Sequence, residues 1–170
     1  MKKLLVVLLP IALSAVAAFG LENENSVRWN SMVGVITAPG VDNPVGTIHG
    51  GAGPWSVHSG RVHVNLSNGF TSFEVDGLVL NGGASSGTPG AINAVKGTLV
   101  CNSGGTAPTI LDTSAVSLNA HGDAHFAGQV PDLPATCDSP VFLIRIAAPA
   151  GAAGRWIATG AERFADDDAR

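Results

Sequence analysis

Gly60-Arg-Val-His-Val-Asn-Leu-Ser-Asn-Gly-Phe-Thr-Ser-Phe-Glu-Val-Asp-Gly-Leu-Val-Leu-Asn81 is the stretch that decides the fold class. Asn68-Gly69 is the dipeptide that most readily takes positive φ at both centres of a type I′ turn. With the turn placed there, Ser67 faces Phe70, Val64 faces Phe73 and Val62 faces Val75, so one side of the ribbon is apolar. The other side pairs Arg61 with Asp76, His63 with Glu74 and Asn65 with Ser72. A slip of one residue would carry one strand's apolar side chains to the polar side, so pattern and turn point to the same register. The stretch reads as a β-hairpin.

Outward from it, the chain is a succession of short apolar bursts separated by glycine and proline, the pattern of many strands and tight turns. Trp29 to Thr37 reads as a first strand. Pro39 to Trp55 is a long Gly/Pro loop, within which Val45 to His49 has the composition of a short edge strand. Beyond the hairpin, Asn81 to Ala91 is a Gly/Ser loop and Val95 to Cys101 a strand. Thr109 to Leu111 reads as a brief strand. Ser114 to Ala120 and Ala124 to Gly128 flank a three-residue turn at His121-Gly122-Asp123. Val141 to Ala147 is apolar at nearly every position, which predicts burial on both faces in mid-sheet. Arg155 to Thr159 returns after a small-residue turn. No stretch carries a sustained helical period with caps. The expected architecture is a single antiparallel β-sandwich of about eight strands with Greek-key-like connections, with a small closed β-barrel as the alternative.

Residues 1–20 have the form of a secretory signal peptide. Lys2 and Lys3 precede the apolar run Leu4 to Leu13, and Ala15-Val16-Ala17 or Ala18-Phe19-Gly20 offers a cleavage point. The run is shorter than the roughly 20 residues a membrane-spanning helix needs. The organisation expected is therefore a signal peptide (1–20), a loose N-terminal extension (21–28), a β-sandwich domain (29–160) and a polar acidic tail (161–170). The destination is secreted, extracellular or periplasmic, with no membrane attachment after cleavage.

Nine Lys+Arg stand against thirteen Asp+Glu. Without Lys2 and Lys3 the count is seven against thirteen, a net charge of −6. Such a surface excludes nucleic acid and anionic lipid as charge-driven partners, since both need clustered cations. Cys101 and Cys137 are the only cysteines. In an exported chain an even count argues for one structural disulfide, with free thiols or a redox pair as the other readings. Their spacing is far from Cys-x-x-Cys.

Chemistry-bearing patterns are sparse. His58 lies near His63 and His121 near His125, and imidazole is the commonest transition-metal ligand, so these four are the metal candidates. An exported β-sandwich with one disulfide is similar in outline to copper/zinc superoxide dismutases, but no His-x-His pair stands on a strand and no spaced run of ligand aspartates follows. His63 opposite Glu74 is explained by a solvated cross-strand pair, and His121 by its turn. Glu74 and Asp76, two apart on one face, resemble a carboxylate pair, yet Arg61 and His63 lie opposite them. There is no Gly-x-Ser-x-Gly elbow, and Gly50 to Gly53 lacks the strand-to-helix context of a phosphate loop. Trp55, after Pro54, is a binding-loop candidate with Trp156 as a companion platform; core packing explains both equally well.

Pro54-Trp55, Gly77-Leu78-Val79-Leu80, Val100-Cys101, Val130 to Cys137, Pro140-Val141-Phe142 and Trp156-Ile157-Ala158-Thr159-Gly160 together resemble a family of uncharacterised small exported proteins. The resemblance runs from about Gly46 to Gly160. It implies a compact β domain with its two cysteines paired, and no activity. The function expected is a non-enzymatic extracellular module, either a structural or assembly subunit or a binding domain, needing no cofactor. Its partner would be another copy or another extracellular protein, engaged by strand addition at Val45 to His49 or at the N-terminal extension. The alternative is a His-ligated metal protein, an oxidoreductase or a metal carrier. Intact mass of the secreted protein tests the covalent expectations: the first 17 to 20 residues should be absent, and alkylation should label both cysteines only after reduction.

Overall fold

The computed structural model describes residues 25–38, 41–147 and 153–165. The expected signal peptide lies outside them, as do residues 21–24 and 166–170. Eleven strands and no helix make up the described chain. They are β1 (Ser26–Gly34), β2 (Trp55–Ser56), β3 (Ser59–Asn65), β4 (Phe70–Asp76), β5 (Val79–Leu80), β6 (Ala94–Cys101), β7 (Thr109–Asp112), β8 (Val116–Ser117), β9 (Ala124–Gln129), β10 (Val141–Ala147) and β11 (Ala153–Ala165). One antiparallel sheet runs in the order β7-β6-β10-β11-β1-β3-β4-β9, with β8 paired to β6, and β2 with β5 forms a small second sheet. The fold is all-β and lies between the sandwich and the barrel: one sheet curls into a half-barrel, and the second sheet is a two-stranded appendage.

Phenylalanine packing shows the curl directly. Phe73 on β4 and Phe142 on β10 have ring centroids 5.8 Å apart, although four strand-to-strand steps separate them in the sheet. At about 4.8 Å per step a flat sheet would hold them roughly 19 Å apart. Phe126 on β9 stacks on Phe73 at 5.8 Å, and Trp29 on β1 meets Phe142 at 6.0 Å. Gly97 on β6 makes room for this cluster. A Cβ there would lie 2.5 Å from the Phe142 ring and 3.0 Å from that of Phe73.

The β3–β4 hairpin forms, in a register two residues from the one predicted. Arg61 pairs with Glu74, Val62 with Phe73, His63 with Ser72 and Ser59 with Asp76. A type I′ turn would need positive φ at both Asn68 and Gly69; Gly69 alone has it (+75°). The asparagines build a longer loop over Leu66 to Gly69. Asn65 Oδ1 accepts from the Ser67 and Asn68 amides at 2.9 and 3.2 Å, and Asn68 Oδ1 accepts from Phe70 N at 2.8 Å. These Asx bonds compete with the tight turn and win. A two-residue slip preserves the pleat, so Val62, Val64, Phe73 and Val75 are buried as expected.

Other boundaries shift for reasons that lie in the tertiary structure. Ser26 to Arg28 belong to β1, paired with β3 on one side and β11 on the other, rather than to a loose extension. β11 likewise continues through residues 161–165, where a tail was expected. Val45 and Ile48 bridge only to each other, so the expected edge strand is a self-closed turn. Ser26 to Trp29 thus have strand partners on both sides, and Val45 to Ile48 closes on itself. The second turn closes one residue earlier than predicted, with Asn119 N donating to Asp123 O and Gly122 N to Asn119 O.

β10 behaves as its composition demands: Phe142, Leu143 and Ile144 are fully buried between β6 and β11. Cys101, at the end of β6, is disulfide-bonded to Cys137. Asn102 N also donates to Asp138 O at 2.7 Å, so the segment after β9 is fastened to the rim of β6. Glycine-to-alanine replacement in an unobstructed strand stabilises by about 0.5–1 kcal/mol. At Gly97 the sign should reverse. Gly97→Ala is expected to lower the urea-unfolding free energy by about 1–3 kcal/mol through overpacking, and an unchanged or raised midpoint would refute the ring-cluster account.

Candidate functional site

Pairing between β1 and β3 stops at Trp29 and Val62. β1 continues along β11 to Gly34, and its alternation of buried and exposed residues changes phase at Ser31. The two strands part there, and a groove of about 360 Å³ opens between them. Asn30, Ser31 and Met32 form one wall, His58, Ser59 and Arg61 the other, and Glu74 and Asp76 of β4 close it. Met32 fills the bottom: a Cβ on Gly60 would stand 2.9 Å from Met32 Cγ and 3.0 Å from its sulfur. The thioether therefore packs against β3 across the gap between the parted strands.

A second groove of about 310 Å³ adjoins the first on the outer face of β1, β3, β4 and β9. Arg28, His63 and Ser72 lie in one cross-strand row, and Arg61, Glu74 and His125 in the next. All six alternate along their strands with buried neighbours such as Trp29, Val62, Phe73 and Ala124, which turns them to the outside. Asn30, Arg61 and Glu74 line both grooves, and the Arg61 Nη2–Glu74 Oε2 ion pair (2.5 Å) is the ridge between them. Asp76 Oδ2 accepts from Ser59 Oγ at 2.8 Å. The expected His63–Glu74 and Arg61–Asp76 pairings are thus replaced by Arg61–Glu74 and Glu74–His125, a direct result of the two-residue register change.

The four candidate metal ligands are dispersed. His63 and His125 occupy the second groove on strands separated by β4, His58 lies in the first groove, and His121 sits in the turn after β8. Among the described residues no group of three or more His, Cys, Asp or Glu is placed to hold a metal ion. Trp55 is 5% exposed and belongs to the core, where it pairs with Leu80 and fixes the end of the long loop. Trp156 is buried too, its Nε1 donating to Asn43 O at 2.8 Å.

A cluster that sequence spacing did not reveal holds the 41–54 loop. His49 Nδ1 donates to the Asp42 carboxylate, Gly50 N donates to Asp42 Oδ1 at 3.1 Å, and Arg155 Nη1 donates to Gly50 O at 2.6 Å. An aspartate on Nδ1 is the base-orienting half of a hydrolytic triad. Among the described residues no hydroxyl or thiol is hydrogen-bonded to the His49 ring, whose partner is Asp42; the His49 carbonyl accepts from Trp156 N at 3.0 Å. The cluster works as a clasp. The grooves, by contrast, carry donors and acceptors, among them the hydrogen-bonded Ser59 hydroxyl and Asp76 carboxylate, on paired strands.

Comparison with protein-family models, with curated proteins and with solved structures finds no match to this chain. Function therefore rests on the geometry.

Two carboxyls lie below their ordinary value of 3.8: Asp42, chiefly through the hydrogen bond from His49, and Asp123, chiefly through that from Asn119, with Gly77 N adding a bond at 3.0 Å. A lowered carboxyl favours the folded state above its unfolded value, and that contribution is lost as pH falls through the folded value. The melting temperature should therefore drop as pH falls below about 5. The drop should be smaller in the Asp42→Asn, Asp123→Asn double variant; an identical drop would show that these two carboxyls do not set the acid response.

Proposed function

We propose that this protein is a secreted, non-enzymatic binding module that takes its ligand on the outer face of β1, β3, β4 and β9. The observation that carries this reading is the pair of adjoining grooves whose walls are polar side chains on hydrogen-bonded strands. Side chains fixed by a sheet lose little freedom on binding, so a shallow polar groove can retain affinity. The Cys101–Cys137 disulfide agrees with an oxidising destination. No helix among the described residues is long and apolar enough to cross a membrane.

A second reading, self-assembly, is favoured by one observation. Val33, Ile36 and Val41 are large, exposed and close in sequence, Ile36 at 80%. A partner copy covering them would remove that apolar surface from water.

Light scattering and backbone-amide NMR of the mature protein separate the two. The binding reading expects a monomer at all concentrations, with ligand-induced shifts confined to β1, β3, β4 and β9 when extracellular carbohydrates and peptides are added. A concentration-dependent dimer abolished by Ile36→Ser, with no ligand shifts on that face, would overturn it in favour of assembly. Elemental analysis of the same sample should give no stoichiometric metal; copper or zinc lost on replacing His63 and His125 would establish the metal-binding alternative.

A further inference from the structure

Two asparagines in this chain precede a glycine, Asn68 before Gly69 and Asn81 before Gly82. In such a pair the glycine amide nitrogen, once deprotonated, can attack the asparagine side-chain carbonyl, because glycine has no Cβ to screen it. The structure treats the two pairs in opposite ways. Gly69 is buried and held on both sides. Its N–H donates to Asn65 O at 2.8 Å, and its carbonyl accepts from Val130 N at 2.9 Å and from the Thr71 hydroxyl at 3.3 Å. Asn68 Oδ1 accepts from Phe70 N at 2.8 Å. Ring closure there would break the bond that holds the nucleophile and the bond that holds the side chain. Asn81 instead leads from β5 into an exposed run over residues 81–88. Its own N–H donates to Pro54 O at 2.9 Å and anchors the backbone. Among the described residues neither its side-chain amide nor Gly82 N has a hydrogen-bond partner. Gly82 has φ +143°, and a Cβ there would meet nothing nearer than Pro54 Cγ at 3.9 Å. The nucleophile is thus exposed, unengaged and surrounded by open space.

Independently of the binding reading above, we infer that Asn81 is a site of self-modification, deamidating through a cyclic imide with Gly82 while Asn68 is protected by the fold. The deprotonated Gly82 nitrogen attacks Asn81 Cγ. The N–Cγ bond forms, the Cγ–Nδ2 bond breaks, and ammonia leaves with a proton returned by solvent. Water then opens the imide at either carbonyl, which leaves an aspartate or an isoaspartyl link and adds one negative charge. Water is the only co-reactant, and nothing is oxidised or reduced. The β2–β5 pairing and the Asn81 N–Pro54 O bond involve only atoms before the new link, so the small sheet is retained. Asn68 supplies the internal control. Two hydrogen bonds stand to be lost there, so its reaction should be at least about tenfold slower than that of Asn81.

The test is peptide-mapping mass spectrometry of the mature, disulfide-bonded protein incubated in mildly alkaline heavy-oxygen water. The same protein, reduced and unfolded in guanidinium chloride, is run beside it. Unfolded, both Asn-Gly pairs should take up the heavy oxygen at similar rates, which removes the effect of the neighbouring residues. Folded, Asn81 should react at nearly its unfolded rate, while Asn68 falls at least about tenfold below its own. Isoelectric focusing follows the added charge. An acidic species should accumulate in the wild type and not in Asn81→Gln, an exposed change that keeps the amide but closes an imide ring far more slowly. Equal folded rates at the two asparagines overturn the assignment. So does an acidic species that accumulates as fast in Asn81→Gln as in the wild type.

Discussion

The contact on which the rest of the structure depends is the meeting of Phe73, Phe142 and Gly97. A sheet with so many strands and so few aromatic residues has to fold over itself to remove its apolar face from water, and a single curled sheet does this only if something fills the middle. Rings from β1, β4, β9 and β10 converge there, and a bare backbone on β6 lets them approach. The chain carries abundant glycine, and at Gly97 the reason is space. Any side chain would stand where a ring already is.

Once the sheet is curled, its two sides have different work. The inner side is apolar and closely packed. The outer side of β1, β3, β4 and β9 carries residues that alternate with the core, so the positions of Arg28, Arg61, His63, Glu74 and His125 are set by the same pleat that buries Trp29, Val62 and Phe73. The grooves exist because β1 follows β11 after Trp29 and leaves β3 behind, with Met32 filling the space between them. A surface produced by strand divergence inherits the rigidity of the sheet. The loops are tied down as well. Trp55 and Trp156 enter the core, the Asp42–His49–Arg155 cluster clasps the 41–54 loop, and the disulfide holds the segment after β9 to β6.

Legibility varied with the range of the interaction. The β3–β4 hairpin, the faces of its strands, the double-sided burial of β10 and the pairing of the two cysteines follow from local pattern or from simple counting. The hairpin's register did not. Asn68-Gly69 is compatible with two loops whose registers differ by two residues, and both keep the same face buried. Side-chain bonds from Asn65 and Asn68 decided between them, and with them which charges meet across the strands. For Trp55 and Trp156 sequence left core packing and a binding platform equally open; the structure buries both, Trp55 where the long loop ends on β2 and Trp156 on β11.

By itself, the sequence determined the all-β class, the polar and apolar sides of β3 and β4 and the identity of the cross-link, since each depends on periodicity or on a count. Only the tertiary structure decided that β1 lies between β3 and β11, that the sheet closes on a phenylalanine cluster, and that Arg28 and Arg61 share one groove. Those outcomes join residues such as Arg28 and His63, or Phe73 and Phe142, that are far apart along the chain. No local pattern encodes such a pairing, because it is selected by the mutual fit of surfaces that exist only once the sheet has formed.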